Sequence, residues 1–153
     1  MTKSLTPFFA VCAAIFVGTI ALSSHAATAT EGWGDNYKKA IAQSKAEKKL
    51  LLINFTGSDW CPWCIRLDKE VFSQPEFKKY AAKNLVLMVA DFPQLHPQSD
   101  KLKAQNEALQ KKYEIEGFPM VLVLDSHGKR LGVLGYEPGG VKTFLASLEK
   151  LKK

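Results

Sequence analysis

Leu50-Leu51-Leu52-Ile53-Asn54-Phe55-Thr56 is a nearly continuous apolar run closed by Gly57, the pattern of a central strand covered on both faces. Leu85 to Ala90 repeats the pattern ahead of Asp91-Phe92-Pro93, and Met120 to Leu124 gives it a third time. Between these runs the period is helical. Asp35 is placed to cap a helix running to about Lys48, with Tyr37, Ala40, Ile41 and Ala46 turned inward. A second helix is predicted from Cys61 to about Val71. Ser73-Gln74-Pro75-Glu76 has the Ser-x-x-Glu spacing of a capping box, with Pro75 in a first turn where its missing N–H costs little, so a short helix follows to about Ala82. A loop with Pro93 and Pro97 leads to a helix near Asp100–Tyr113. The turn-rich Asp125-Ser126-His127-Gly128-Lys129 then joins the third strand to a fourth, Arg130 to Tyr136, as a hairpin. Val141, Phe144, Leu145, Leu148 and Leu151 mark one face of a closing helix.

This order predicts an α/β domain, a central mixed four-stranded sheet with helices on both faces. Composition agrees. With 46% hydrophobic, 24% charged and 10% aromatic residues the chain is globular rather than disordered, and 153 residues leave room for one domain.

The N-terminal segment belongs to targeting rather than to the fold. Lys3 is followed by an uncharged apolar run from Phe8 to Leu22 and then by Ser23-Ser24-His25-Ala26-Ala27, the three regions of a signal peptide. The run falls short of the roughly 20 residues a membrane span needs. The expected division is a signal peptide at 1–26 with cleavage after Ala26, a linker at 27–34 and a domain at 35–153. After cleavage 127 residues would remain at a net charge of +5, because the removed segment carries Lys3 and no acid. Basic and acidic residues alternate, as in Lys45-Ala46-Glu47-Lys48-Lys49, which is how solvated helix faces look and gives no footprint for nucleic acid. Cys12 would leave with the signal, so an exported chain keeps two cysteines in a compartment where disulfides persist.

Those two form Cys61-Pro62-Trp63-Cys64, set between a strand and a helix. Three-residue spacing on a helical turn brings the Cβ atoms within roughly 5–6 Å, close to what a disulfide needs. Closing so small a loop contributes only about 2 kcal/mol by loop entropy, so chemistry explains the bridge better than support does. The thiolate is the reacting form. At a helix start Cys61 would face unpaired N–H groups, among them those of Trp63 and Cys64, and the positive end of the helix dipole. Cys61 is therefore expected to be the nucleophile, and Cys64, one turn further in and more buried, the resolving thiol. A structural zinc site needs four ligands, and after cleavage the expected mature chain offers only His96 and His127 beyond the pair, at no motif spacing and read as ordinary loop residues. No metal and no organic cofactor are expected.

Trp60-Cys61-Pro62-Trp63-Cys64, Gly117-Phe118-Pro119 before the third strand and Gly135 before the last helix resemble the thioredoxin-like family over residues 33–151. The wording Phe55-Thr56-Gly57-Ser58-Asp59-Trp60-Cys61, continued by Leu67-Asp68-Lys69-Glu70-Val71-Phe72, is most similar to exported bacterial members, the periplasmic C-terminal domain of DsbD and DsbH-type periplasmic reductases. The resemblance implies a thioredoxin-like fold, a redox-active pair, and Pro119 as a cis-proline facing the cysteines, where the backbone of Phe118 pairs with an extended substrate segment. Two departures stand out. Asn54 occupies the place of the family's buried aspartate and Leu87 that of its lysine, which leaves water or Asp59 to take the proton. Trp60, Trp63 and Phe118 would surround the sulfurs, with Trp63 the best candidate for partner contact, whereas Trp33 and Trp60 are read first as packing.

The expected function is a periplasmic thiol-disulfide oxidoreductase acting on proteins, with the reductase direction favoured by resemblance. Its partners would be protein thiols and disulfides and an upstream redox partner, with no nucleic acid, no membrane span after cleavage, and a monomeric state. The alternatives are a carrier that moves copper or zinc on its two thiols and a thioredoxin-fold adaptor whose disulfide stays closed.

Overall fold

The computed structural model describes residues 32–152, so the predicted signal peptide and its cleavage site lie outside the described residues. In chain order the elements are β1 (Trp33–Gly34), α1 (Tyr37–Glu47), β2 (Leu50–Thr56), α2 (Pro62–Leu67) running into a π-helical turn (Asp68–Phe72), α3 (Pro75–Asn84), β3 (Leu85–Asp91), α4 (Asp100–Lys112), β4 (Met120–Leu124), β5 (Arg130–Leu134) and α5 (Gly140–Lys150). The sheet order is β1-β3-β2-β4-β5, with β1, β3 and β2 parallel and β4 and β5 each antiparallel to its neighbour. Crossover helices join the parallel strands and a tight turn joins the antiparallel pair, as chain geometry requires.

Alternation along β2 divides the core. Leu51, Ile53 and Phe55 pack with Val86, Met88, Leu122 and Leu124 under Ala40 of α1 and Leu109 of α4. Leu52 faces the other way, with Val121 and Val123, against Leu67, Val71, Phe72, Phe77, Phe144 and Leu148 of α2, the π turn, α3 and α5. The cysteine helix thus lies on the second face.

The differences from the sequence reading are local. The sheet has five strands rather than four, because Trp33 and Gly34, expected to end a linker, pair with Leu87 and Met88. Asn36, not Asp35, caps α1, its side chain accepting from the Lys39 N–H at 2.9 Å. Ala46 is exposed, and its inward place is taken by Ser44, fully buried because its hydroxyl donates to the Lys49 carbonyl at 2.7 Å. The capping box does not form. The π turn delays the helix exit, Ser73 Oγ donates instead to Asp68 Oδ2, and Gln74 precedes Pro75 without a side-chain cap.

Candidate active site

The chain leaves β2 at Thr56 and reaches α2 through Gly57-Ser58-Asp59-Trp60. Glycine is required at 57 because the Trp60 indole lies on its backbone: a Cβ there would stand 2.4 Å from Trp60 Cε2. The Gly57 carbonyl accepts from Cys61 N–H at 2.9 Å, closing the turn. Three further bonds fasten this lip to the end of β3. Trp60 Nε1 donates to the Phe92 carbonyl at 2.8 Å, and Ser58 donates to Asp91 through its N–H at 3.0 Å and its hydroxyl at 2.6 Å.

Cys61 is the N-cap of α2, with Pro62 in the first turn, where its missing N–H is no loss. The Cys61 sulfur accepts a hydrogen bond from Cys64 N–H at 3.2 Å, and the two cysteines form a disulfide with Cα atoms 5.2 Å apart. Both residues are 4% exposed, so Cys64 is not the more buried of the two: the bond holds both sulfurs in the same surroundings. Position still separates them. Only Cys61 stands where a helix N–H and the positive helix end meet its sulfur, the setting that favours a thiolate.

The Phe118–Pro119 peptide bond is cis. The β2–β4 ladder pairs Phe55 with Met120 and so brings this segment beside the loop that carries the pair. Phe118 meets Trp60 edge-on at 6.0 Å, and Pro119 lines one groove with Trp63, so the two tryptophans beside the cysteines bracket the segment. Trp60, Trp63, Ile65 and Leu95 are the large exposed hydrophobic residues among those described, and three of them fall at 60–65. Trp33 instead packs in the core layer against Phe72 and Phe77, the packing role read from sequence.

Asn54 lies on the Leu52 side of β2, its Oδ1 buried without a hydrogen-bond partner. A neutral amide there cannot take a proton from a thiol. Asp59 is no substitute. Its carboxylate accepts from Gln94 N–H at 3.0 Å and Leu95 N–H at 2.7 Å and pairs with the His96 ring at 2.9 Å. Burial works against its ionisation, but these donors prevail and bring its pKa down to about 2. Of the two acceptors expected from the sequence, water is left. What Asp59 does is hold the 94–96 loop against the lip. A depressed carboxyl pKa contributes stability above the ordinary carboxyl range and loses it as pH falls through the folded value, so the hold of Asp59 on the loop should weaken as pH falls from about 4 to about 2. Asp59→Ala should accelerate amide exchange at Gln94 and Leu95 about tenfold or more at neutral pH; unchanged exchange would show that the loop stands without it.

His96 is thus occupied by Asp59, and His127 sits in the β4–β5 turn, at the far end of β4 from Pro119, so neither joins the cysteines. The sequence reading missed Arg66, Glu70 and Tyr136. Arg66 Nε donates to Glu70 Oε1 at 2.7 Å, Tyr136 donates its hydroxyl to Glu70 Oε2 at 2.9 Å, and the Tyr136 ring lies 5.3 Å from Trp63. The four-residue spacing of Arg66 and Glu70 was a signal for their pair; nothing local marked Tyr136.

A cysteine pair closed at a helix start, flanked by a cis-proline segment on a mixed sheet, defines a thioredoxin-like thiol-disulfide oxidoreductase. A family model described as a thioredoxin-like domain matches residues 37–152, and the chain belongs to that family. The disulfide bond reductase DsbH of Chlamydia pneumoniae is 35% identical over 119 residues, covering 78% of this chain and 72% of its own. A solved structure described as DsbH oxidoreductase superposes with a TM-score of 0.74 at 34% identity, over 78% of this chain and 82% of the other. The oxidised C-terminal domain of DsbD from Neisseria meningitidis shares the fold, with a TM-score of 0.54 at 24% identity over 74% and 90% of the two chains. Among the described residues no helix is long and apolar enough to cross a membrane.

Proposed function

We propose that this chain reduces protein disulfides outside the cytoplasm, with Cys61 as nucleophile and Cys64 as resolving thiol. The observation that carries the reading is the Cys61 sulfur at the start of α2, accepting from Cys64 N–H at 3.2 Å. The Cys61 thiolate attacks one sulfur of a partner disulfide; that S–S bond breaks and the other partner sulfur leaves as a thiolate that takes up a proton. Cys64, deprotonated to water, then attacks the Cys61 side of the mixed disulfide, releasing the second partner thiol and closing Cys61–Cys64. Two electrons pass to the partner, and an upstream dithiol restores the pair.

The exposed apolar side chains around the pair suit a protein partner, and the backbone of Phe118 is offered to an extended partner segment. The reductase direction is supported by the likeness to a relative described as a disulfide bond reductase. The signal-like segment at 1–26 supports export and a periplasmic location.

Equilibration of the purified chain in graded dithiol buffers, with free thiols counted by alkylation, tests the reading. One reversible two-electron transition nearer about −270 mV than about −120 mV is expected. A pair that stays closed under mild reduction supports the adaptor, and stoichiometric metal on the reduced pair supports the carrier.

A further inference from the structure

Two hollows on the α1–α4 side of the sheet share Asp35, Ser99 and Leu102 and so form one trough. Its upper part, about 1020 Å³, opens at the lip of the cysteine pair, where Asp59 and Leu95 line it, and its lower part, about 570 Å³, follows α4 to Lys112. Asp59 stands two residues before Cys61, so the trough begins beside the place where a partner's disulfide must lie. We propose that the trough seats a segment of the disulfide-bearing partner protein, apolar where it crosses Leu102 and acidic beyond. The proposal rests on the protein-disulfide reading above and adds to it a docking site away from the cysteines and from the Phe118 segment.

The lining sets that order of chemistry. Lys101, Gln105, Ala108 and Lys112 form one stripe along α4, about 16 Å long, and Lys38 of α1 lines the other bank. Midway the polar groups are spent: Gln105 accepts from Tyr37 N–H at 3.0 Å and donates to the Asp35 carbonyl at 2.8 Å and to Asn106 Oδ1 at 3.1 Å. That leaves Leu102, Ala108 and the Tyr37 ring for an apolar segment to cover. The cations are unspent. Lys38, Lys101 and Lys112 are exposed and none forms an ion pair among the described residues, so three ammonium groups meet one exposed carboxylate, Asp35, along the lower trough. Lys112 is also held in place. Its ammonium lies 5.3 Å and 4.9 Å from the centres of the Tyr37 and Tyr113 rings and 3.5 Å from the Tyr37 hydroxyl, which is bonded in turn to the Tyr113 hydroxyl at 2.8 Å. Rings and hydroxyls position this charge without neutralising it, so an arriving carboxylate meets a fixed cation and less ordering remains for binding to impose. A basic segment would instead meet three like charges.

A peptide library tests this against the full chain carrying Cys64→Ala, at low salt. Each peptide is a short loop closed by one disulfide, with random tails of about ten residues, which at about 3.3 Å per residue are long enough to reach Lys112. Peptides captured on Cys61 as mixed disulfides are released by reduction and sequenced. At tail positions roughly four or more residues from the captured cysteine, Asp and Glu should be enriched about threefold or more over the starting library, with Leu, Ile or Phe enriched between them and the loop. The acidic enrichment should vanish in about 1 M salt, where the screening length is about 3 Å. Lys38→Glu combined with Lys101→Glu, both at exposed positions, should abolish it, and Ala108→Arg, which closes the middle of the trough, should abolish the apolar enrichment. No enrichment, enrichment of Lys and Arg, or a preference that survives these variants overturns the trough. So does a wild-type chain that sediments as a dimer and becomes a monomer with Lys38→Glu and Lys101→Glu, because a second copy then fills it. If the wild-type chain passes electrons to hydroxyethyl disulfide but Cys64→Ala captures no peptide, the protein-disulfide reading itself falls and takes the trough with it.

Discussion

Cys64→Ala should accumulate mixed disulfides with its protein partners through Cys61, whereas Cys61→Ala should trap few or none and lose disulfide turnover by about a thousandfold or more. The inequality follows from position. In Cys64→Ala the sulfur at the helix start keeps the positive helix end, and the backbone N–H of residue 64 survives the substitution, so the first attack proceeds while the thiol that would release the partner is gone. In Cys61→Ala the remaining thiol lies within α2, away from the helix start, and has no capping role. Non-reducing gels of both variants recovered from the cell envelope read the result directly as partner bands that vanish on reduction. Iodoacetamide labelling against pH adds a second readout, since Cys61 in Cys64→Ala should titrate below the ordinary thiol value of about 8.5. Equal trapping by the two variants would overturn the assignment of roles, and no trapping by either would remove protein exchange from the function.

The cysteine pair and its helix were legible because they are local, a motif between an apolar run and an amphipathic one, whereas Phe118-Pro119 was read only through the family resemblance. β2 and β4 took their predicted bounds for the same reason, since a central strand announces itself as an uninterrupted apolar run ended by a turn residue. β1 was not legible. Two residues carry no period, and Trp33 and Gly34 become a strand only because Leu87 and Met88 lie beside them. The π turn also has no sequence mark, and it undid the capping box by moving the helix exit and giving the Ser73 hydroxyl to Asp68. At the site, Asp59 read as a free acid near the thiols, yet its oxygens are consumed by a loop 35–37 residues further on. Tyr136 and Glu70 meet across 66 residues, a distance that no local pattern spans.

Phe72→Ala should cost about 3–5 kcal/mol of stability, the upper range for truncating a buried aromatic. The residue ends the helical run that starts at Pro62 and is 2% exposed. Its ring stands 5.0 Å from Trp33 of β1, 5.0 Å from Phe77 of α3 and 5.5 Å, edge-on, from Phe144 of α5. Those neighbours are rigid rings, and Phe77 and Phe144 already touch each other at 6.1 Å, so they cannot close over the space the phenyl leaves. Each lost aromatic pair adds about 0.5–1.5 kcal/mol beyond the buried area, though the terms overlap within the cavity cost. Against a total stability of about 5–15 kcal/mol for a domain of this kind, about a fifth or more would go, with a fall in melting temperature of about 10–25 °C. Denaturant melts of oxidised chain, wild type against variant, measure it. The disulfide in α2 keeps its helix start in the variant, so the order of thiol reactivity should persist wherever the chain is folded. A loss under about 1.5 kcal/mol would mean that the three remaining aromatic residues repack, and that the layer beneath the cysteine helix is softer than its ring contacts require.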